Sequence, residues 1–172
     1  MKPYDFKAFS QMTLDLIFKG MDRMPLPGEE VFSREFSIQL GGGPTVIPIV
    51  LSSLGKKTAL GTFLGADDES KLCIQLMKRL GFTNYTNFYS TTEVSKGKNP
   101  LVVSCVFSWD RDRGFVTRND EVCEDALEEE IVYQYLKDAK VVFAPKGHFA
   151  VTKRLHEEGS IIVSDTGWKD DL

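Results

Sequence analysis

The stretch Leu40-Gly41-Gly42-Gly43-Pro44-Thr45-Val46-Ile47-Pro48-Ile49-Val50-Leu51-Ser52-Ser53-Leu54-Gly55 restricts the fold more than any other. Three successive glycines weaken a strand or a helix interior, so the chain turns there. Before them, Phe36, Ile38 and Leu40 alternate with Ser37 and Gln39, the period-2 pattern of a half-exposed strand over Phe32 to Leu40. After them, Val46, Ile47, Val50, Leu51 and Leu54 recur at helical spacing, and Gly55 closes the segment. Pro44 suits a first helical turn, where a missing N–H is not needed; Pro48 argues against the helix. The reading is strand, tight turn, helix.

Similar units recur along the 172 residues. Met12 to Phe18 reads as a buried strand, and Met24-Pro25-Leu26-Pro27-Gly28-Glu29 as a loop. Thr58 to Leu64 is a strand. Asp67 or Asp68 can cap a helix carrying Leu72, Cys73, Leu76, Met77 and Leu80, ended by Gly81. Leu101 to Trp109 and Phe115 to Arg118 flank the turn Asp110 to Gly114, which suggests a hairpin. Leu127, Ile131, Tyr135 and Leu136 mark a helix, Val141 to Ala144 a strand, Phe149 to Glu158 a helix and Ile161 to Ser164 a last strand. The outer parts form β-α-β-α units around a parallel sheet, while the polar-faced strand and the hairpin fit a separate small β layer. A parallel strand added last would leave an open edge, so another chain or further sequence is expected beside it.

Composition limits the function. With 42% hydrophobic and 27% charged residues, the chain reads as an ordinary globular domain. A net charge of −4, and arginines 111, 113 and 118 diluted by aspartates 110, 112 and 120, argue against a nucleic-acid partner. No apolar run approaches the ~18 residues of a membrane span, and the N-terminus has no apolar leader. Cys73, Cys105 and Cys123 have neither disulfide-framework nor zinc spacing, which suggests reduced thiols in a cytoplasmic protein. His148 reads as an exposed loop residue, and Glu128 to Glu130 as a solvated helix face. Arg111 and Arg113 read as surface residues paired with their neighbouring aspartates.

Glycines ahead of a helix serve a tight turn, or let a ligand approach bare backbone and first-turn N–H groups. The spacing fits neither Gly-x-Gly-x-x-Gly nor Gly-x-x-x-x-Gly-Lys. The order of motifs nevertheless resembles the N-terminal part of ribokinase-like (PfkB) carbohydrate kinases. Asp15 lies in Thr13-Leu14-Asp15-Leu16, Pro27-Gly28-Glu29 follows, Gly41-Gly42 opens a helix ending Leu54-Gly55, and Gly65-Ala66-Asp67-Asp68 precedes the next. The resemblance covers nearly the whole chain. It implies an α/β fold, a parallel sheet with flanking helices plus a small β lid, truncated before the C-terminal ATP-binding half. Residues 1–172 would form a single partial domain with lid strands at approximately 30–40 and 100–118.

The resemblance further implies that Asp15 accepts hydrogen bonds from sugar hydroxyls, as an acceptor-only carboxylate suits. It implies that a sugar packs on Gly41 and Gly42, with Gly43 and Val46 beside it. Read alone, Asp15 is equally a strand-end residue bonded to nearby backbone. ATP and Mg2+ would be needs of the full-length parent, and a homodimer through the lid is implied. Two departures stand out. Val46, after Thr45, replaces an asparagine that bonds the sugar, and a buried hydroxyl facing it would lose a partner, at roughly 1–3 kcal/mol. The Gly-Ala-Gly-Asp signature, which supplies the anion hole and catalytic base, is missing; Asp165-Thr166-Gly167-Trp168 does not replace it. Catalytic residues are therefore expected beyond residue 172. Ser70, where glycine is usual, is a milder change. The rival expectations are a non-catalytic sugar-binding or interaction protein of the same origin, and an α/β enzyme whose Asp15 and Asp165 share one pocket.

Overall fold

The computed structural model describes residues 2–89, 99–120 and 127–165. The elements run β1 (Tyr4–Phe9), β2 (Thr13–Met21), β3 (Glu35–Gly41), α1 (Gly43–Ser53), β4 (Thr58–Thr62), α2 (Asp68–Arg79), β5 (Tyr85–Asn87), β6 (Val102–Trp109), β7 (Asp112–Arg118), α3 (Glu129–Leu136), β8 (Ala139–Phe143), α4 (Phe149–Glu157) and β9 (Ile161–Val163). They build a five-stranded sheet in the order β5-β4-β1-β8-β9 and a four-stranded sheet in the order β3-β2-β6-β7. Every pairing in the first sheet is parallel.

Alternation along β1 sets the layers. Phe6 and Ala8 join α1 and α2 through Ile49, Cys73 and Met77, whereas Phe9 joins α3 and α4 through Val132, Leu136, Val151 and Leu155. The parallel sheet is thus covered on both faces. α1 holds its path despite Pro48, whose carbonyl accepts a bond from the Thr58 hydroxyl at 2.7 Å. It closes in a Schellman turn: Lys56 N–H donates to Leu51 O at 3.0 Å and Gly55 N–H to Ser52 O at 2.9 Å.

Three sequence expectations change. The strand that opens the parallel sheet is β1, not the segment from Met12, because β2 crosses into the second sheet. Lys7 hides β1 from a hydropathy reading. Its side chain is buried, donates to Tyr135 O at 2.8 Å and lies over the Tyr4 ring at 4.1 Å. Its Nζ sits 2.6 Å from Asp138 Oδ1, an ion-pair contact whose direction falls short of a hydrogen bond. Second, β5 has three residues and no apolar run, so composition gave no signal for it. Third, His148 is buried at 2% exposure, edge-on to the Phe9 ring at 6.2 Å, because it caps α4 against the core. Of the cysteines, Cys73 is buried and Cys105 half-buried, both unpaired thiols; Cys123 lies outside the described residues, as do Thr166, Gly167 and Trp168.

Asp67, not Asp68, caps α2. Its Oδ1 accepts from Ser70 N–H at 2.8 Å and its Oδ2 from the Ser70 hydroxyl at 2.8 Å, while that hydroxyl accepts from Gly65 N–H at 2.9 Å. The serine at this position is a working part of the cap. Burial pushes the Asp67 carboxyl upward, but the Ser70 bonds outweigh it and hold the pKa below the ordinary value. Asp67→Ala should cost about 1 kcal/mol in denaturant unfolding at neutral pH. A depressed folded pKa means the stabilisation is present above the unfolded value of ~3.9 and is lost as pH falls through the folded one. The gap between wild type and variant should therefore close on acidification.

Candidate functional site

β2 runs antiparallel to β3 with Thr13 opposite Gly41 and Asp15 opposite Gln39, and parallel to β6 with Asp15 beside Ser104. On the other side of β6, Ser104 faces Thr117 of β7. Neighbours in register share a face of a sheet, so Gln39, Asp15, Ser104 and Thr117 form one polar row across four strands. Leu14, Leu40 and Val103 occupy the opposite face and pack into the core beneath α1 and α2. That buried base fixes which way Asp15 looks.

The Asp15 carboxyl lies against Gly41. A Cβ at Gly41 would stand 2.2 Å from Oδ2 and 2.6 Å from Cγ, so the carboxyl fills the space a side chain would need. Among the described residues no side-chain hydrogen bond or ion pair reaches it. Burial alone raises its pKa. Bonding to nearby backbone, one of the two readings of Asp15 from sequence, does not occur.

The three glycines differ. Gly42 sits at φ 82°, and a Cβ there would be 2.9 Å from Thr45 Oγ1 and 3.2 Å from Thr13 Oγ1. Gly43 meets nothing within 4 Å, so its lack of a side chain has no steric reason among the described residues. Thr45 is fully buried; its hydroxyl lies 2.6 Å from Gly41 O and 2.8 Å from Gly42 O, pinning the turn. Thr45 and Val46 N–H both donate to Gly42 O, and Pro44 has no N–H. Few first-turn donors remain for an anion, so the turn suits close packing of a neutral ligand better than phosphate.

Val46 stands apart. It lines a groove of about 430 Å³ with Ile38, Leu40, Ile49 and Leu76, on the face of β3 turned away from Asp15. The structure thus brings together Asp15, Gly41 and Gly42, and places Val46 on another surface.

Strand order in the parallel sheet reverses between β1 and β8, the position where open α/β sheets form a cleft beyond their carboxyl ends. A cavity of about 370 Å³ lies there, lined by Phe9 and Ser10 after β1, Ala144 to Lys146 after β8, Ser164 and Asp165 after β9, and Pro44 of α1. Pro44 follows Gly42 by two residues, so the glycine turn lies between this cleft and Asp15. The lining includes Asp165 but not Asp15, which disfavours an enzyme with both carboxylates in one pocket. Sequence reading missed Lys146 and the row of Gln39, Ser104 and Thr117, because only register and topology bring them near. Arg113 lies over the Phe115 ring at 5.8 Å, and no ion pair joins it or Arg111 to an aspartate among the described residues.

Solved structures decide the architecture. Over 98% of this chain, ribokinase from Giardia lamblia superposes with a TM-score of 0.73 at 14% identity. The chain has the ribokinase-like fold. The PfkB protein from Polaromonas sp. JS666 matches over 96% with a TM-score of 0.70 at 16% identity, and Halothermothrix orenii fructokinase over 96% with 0.68 at 20%. The ribokinase-like chain spans only about half the length of these structures, 53%, 56% and 58% of them respectively. No protein-family model and no curated protein matches the sequence.

A buried, unpartnered carboxylate opposes folding, and this gives two expectations. Asp15→Asn should raise the melting temperature near pH 7. With the folded pKa above the unfolded ~3.9, the penalty is present above the folded value and absent below the unfolded one, so the gain should vanish near pH 3. Gly41→Ala should destabilise by about 1–3 kcal/mol in denaturant melts, since the added Cβ collides with the Asp15 carboxyl.

Proposed function

We propose that this chain is the N-terminal part of an ATP-dependent kinase that phosphorylates a hydroxyl of a sugar, sugar acid or nucleoside. The carrying observation is the Asp15 carboxyl, half-buried and unpartnered beside the Gly41–Gly42 turn at the base of the second sheet. A group that only accepts hydrogen bonds, held in a partly dry place, is completed by hydroxyl donors. Solved neighbours named ribokinase and fructokinase support a polyol as the ligand.

This chain's own part is binding. Asp15 orients the ligand, bare backbone at Gly41 and Gly42 lets it approach, and the second sheet acts as a lid that limits water. ATP and Mg2+ belong to the longer protein in this reading. Among the described residues no group of three or more His, Cys, Asp or Glu side chains comes together to hold a metal ion. The first turn of α1 does not offer a phosphate cradle either. The open edge supports a longer protein: Ile161 and Val163 of β9, with Phe149 of α4, are exposed at 63%, 41% and 83%. A second copy is placed on the outer face of the lid, where Phe18 contacts both Phe36 and Phe107 and Phe36 is 55% exposed. No described helix is long and apolar enough to cross a membrane, and a cytoplasmic location is part of the proposal.

A non-catalytic polyol-binding protein of the same fold is the second reading, favoured by the position of Val46 away from Asp15. Titration calorimetry of this chain with D-ribose, D-fructose, D-gluconate and adenosine tests the shared binding site. At least one should bind, Asp15→Asn should abolish the heat, and no ATP-dependent phosphorylation should occur with this chain alone. Failure of all four to bind would remove the sugar site; turnover by this chain would contradict the assignment of the chemistry to residues elsewhere.

A further inference from the structure

We infer that Ser104 and Thr117 are specificity-determining residues of this site, a hydroxyl pair that donates to the same ligand edge that Asp15 accepts from. The inference rests on the polyol reading and adds to it which part of the polyol is read. Ser104 is 6% exposed, and its Oγ lies 2.9 Å from Thr117 Oγ1, one hydroxyl donating to the other. That bond uses one of the pair's two protons and leaves the other, with free lone pairs, for a third group.

Register places this pair beside Asp15, one strand away at the ~4.8 Å spacing of a sheet. An oxygen about 2.7 Å from each side can bridge such a gap. The chemistry is complementary. A ligand hydroxyl that donates to Asp15 has lone pairs left to satisfy, and the carboxylate cannot donate to them. The serine–threonine pair can. Gln39, on the other side of Asp15 in the same row, can donate or accept through its amide.

The next row on this face is Ile17, Val106 and Phe115, in register across β2, β6 and β7. It is apolar, and Phe115 is 55% exposed. A polar row beside an apolar row fits a ring with hydroxyls along one edge and C–H groups on its face. The ligand class is therefore a cyclic polyol with two neighbouring hydroxyls, and a deoxy analogue lacking one should bind worse. This polarity also replaces what Val46, turned toward another groove, does not supply.

The test uses Ser104→Ala, Thr117→Val and the double variant, titrated calorimetrically with whichever of D-ribose, D-fructose or D-gluconate binds wild type best. Each single variant should weaken binding roughly tenfold, as loss of a hydrogen bond to a ligand does. The double variant should be little worse than either single one, because the two hydroxyls act as a unit. Melting temperatures monitor folding, and 2-deoxy-D-ribose against D-ribose adds a readout that packing damage would not mimic: the preference of wild type should shrink in the variants. Variants that bind like wild type while Asp15→Asn does not bind would overturn the inference and leave the polyol site standing. A wild type that binds none of the three would overturn both.

Discussion

The Asp15 carboxyl and the missing side chain of Gly41 are two halves of one constraint. The carboxyl occupies the volume a Cβ would need, and burial holds it above the ordinary carboxylate range without a compensating donor. Proteins bury unpaired carboxylates rarely, since each opposes folding. Keeping one at the junction of two sheets is explained if a ligand supplies the missing donors. Strain of this kind collects at functional sites. The rest of the local structure protects the arrangement: Thr45 ties down the turn, Leu14 and Leu40 anchor the base of the lid, and Gly42 takes the positive φ that links strand to helix.

Two sheets meet here because the chain leaves the parallel sheet after β1 and returns only through α1. The excursion puts β2 and β3 above the carboxyl edge of the body. β6 and β7 then join the same lid before α3 carries the chain back to β8. The cleft between β1 and β8 and the polar row on the lid therefore both lie next to the glycine turn. Neither surface alone would hold a polyol. The body offers a cavity with Ser10, Lys146 and Asp165, and the lid offers a carboxylate and paired hydroxyls.

Much of this was legible in the sequence, for physical reasons that differ by element. The glycine turn, the helix after it and the Asp67 cap follow from local backbone chemistry, which acts over a few residues. The α/β class followed from the alternation of short apolar runs with helical periods. β1 was not legible, because Lys7 is buried by an aspartate, a carbonyl and two aromatic rings far along the chain. The solvent-exposed reading of His148 failed for a related reason: its loop is folded under α4 onto Phe9. Val46 was placed by its spacing from the glycines, and spacing cannot say which side of β3 a helix turns toward. The row of Gln39, Ser104 and Thr117 depends on register between strands distant in sequence, which no local pattern encodes.

The central claim is that the Asp15 side chain waits for donors that a polyhydroxylated ligand brings. A carbon-detected NMR titration of that carboxyl, free and then saturated with the best-binding polyol, tests it most directly. The account expects an apparent pKa above the ordinary aspartate range in the free chain and a clear fall when ligand is present, since hydrogen bonds to the charged form favour it. An ordinary value in the free chain, or a raised value that ligand leaves unmoved, would contradict it.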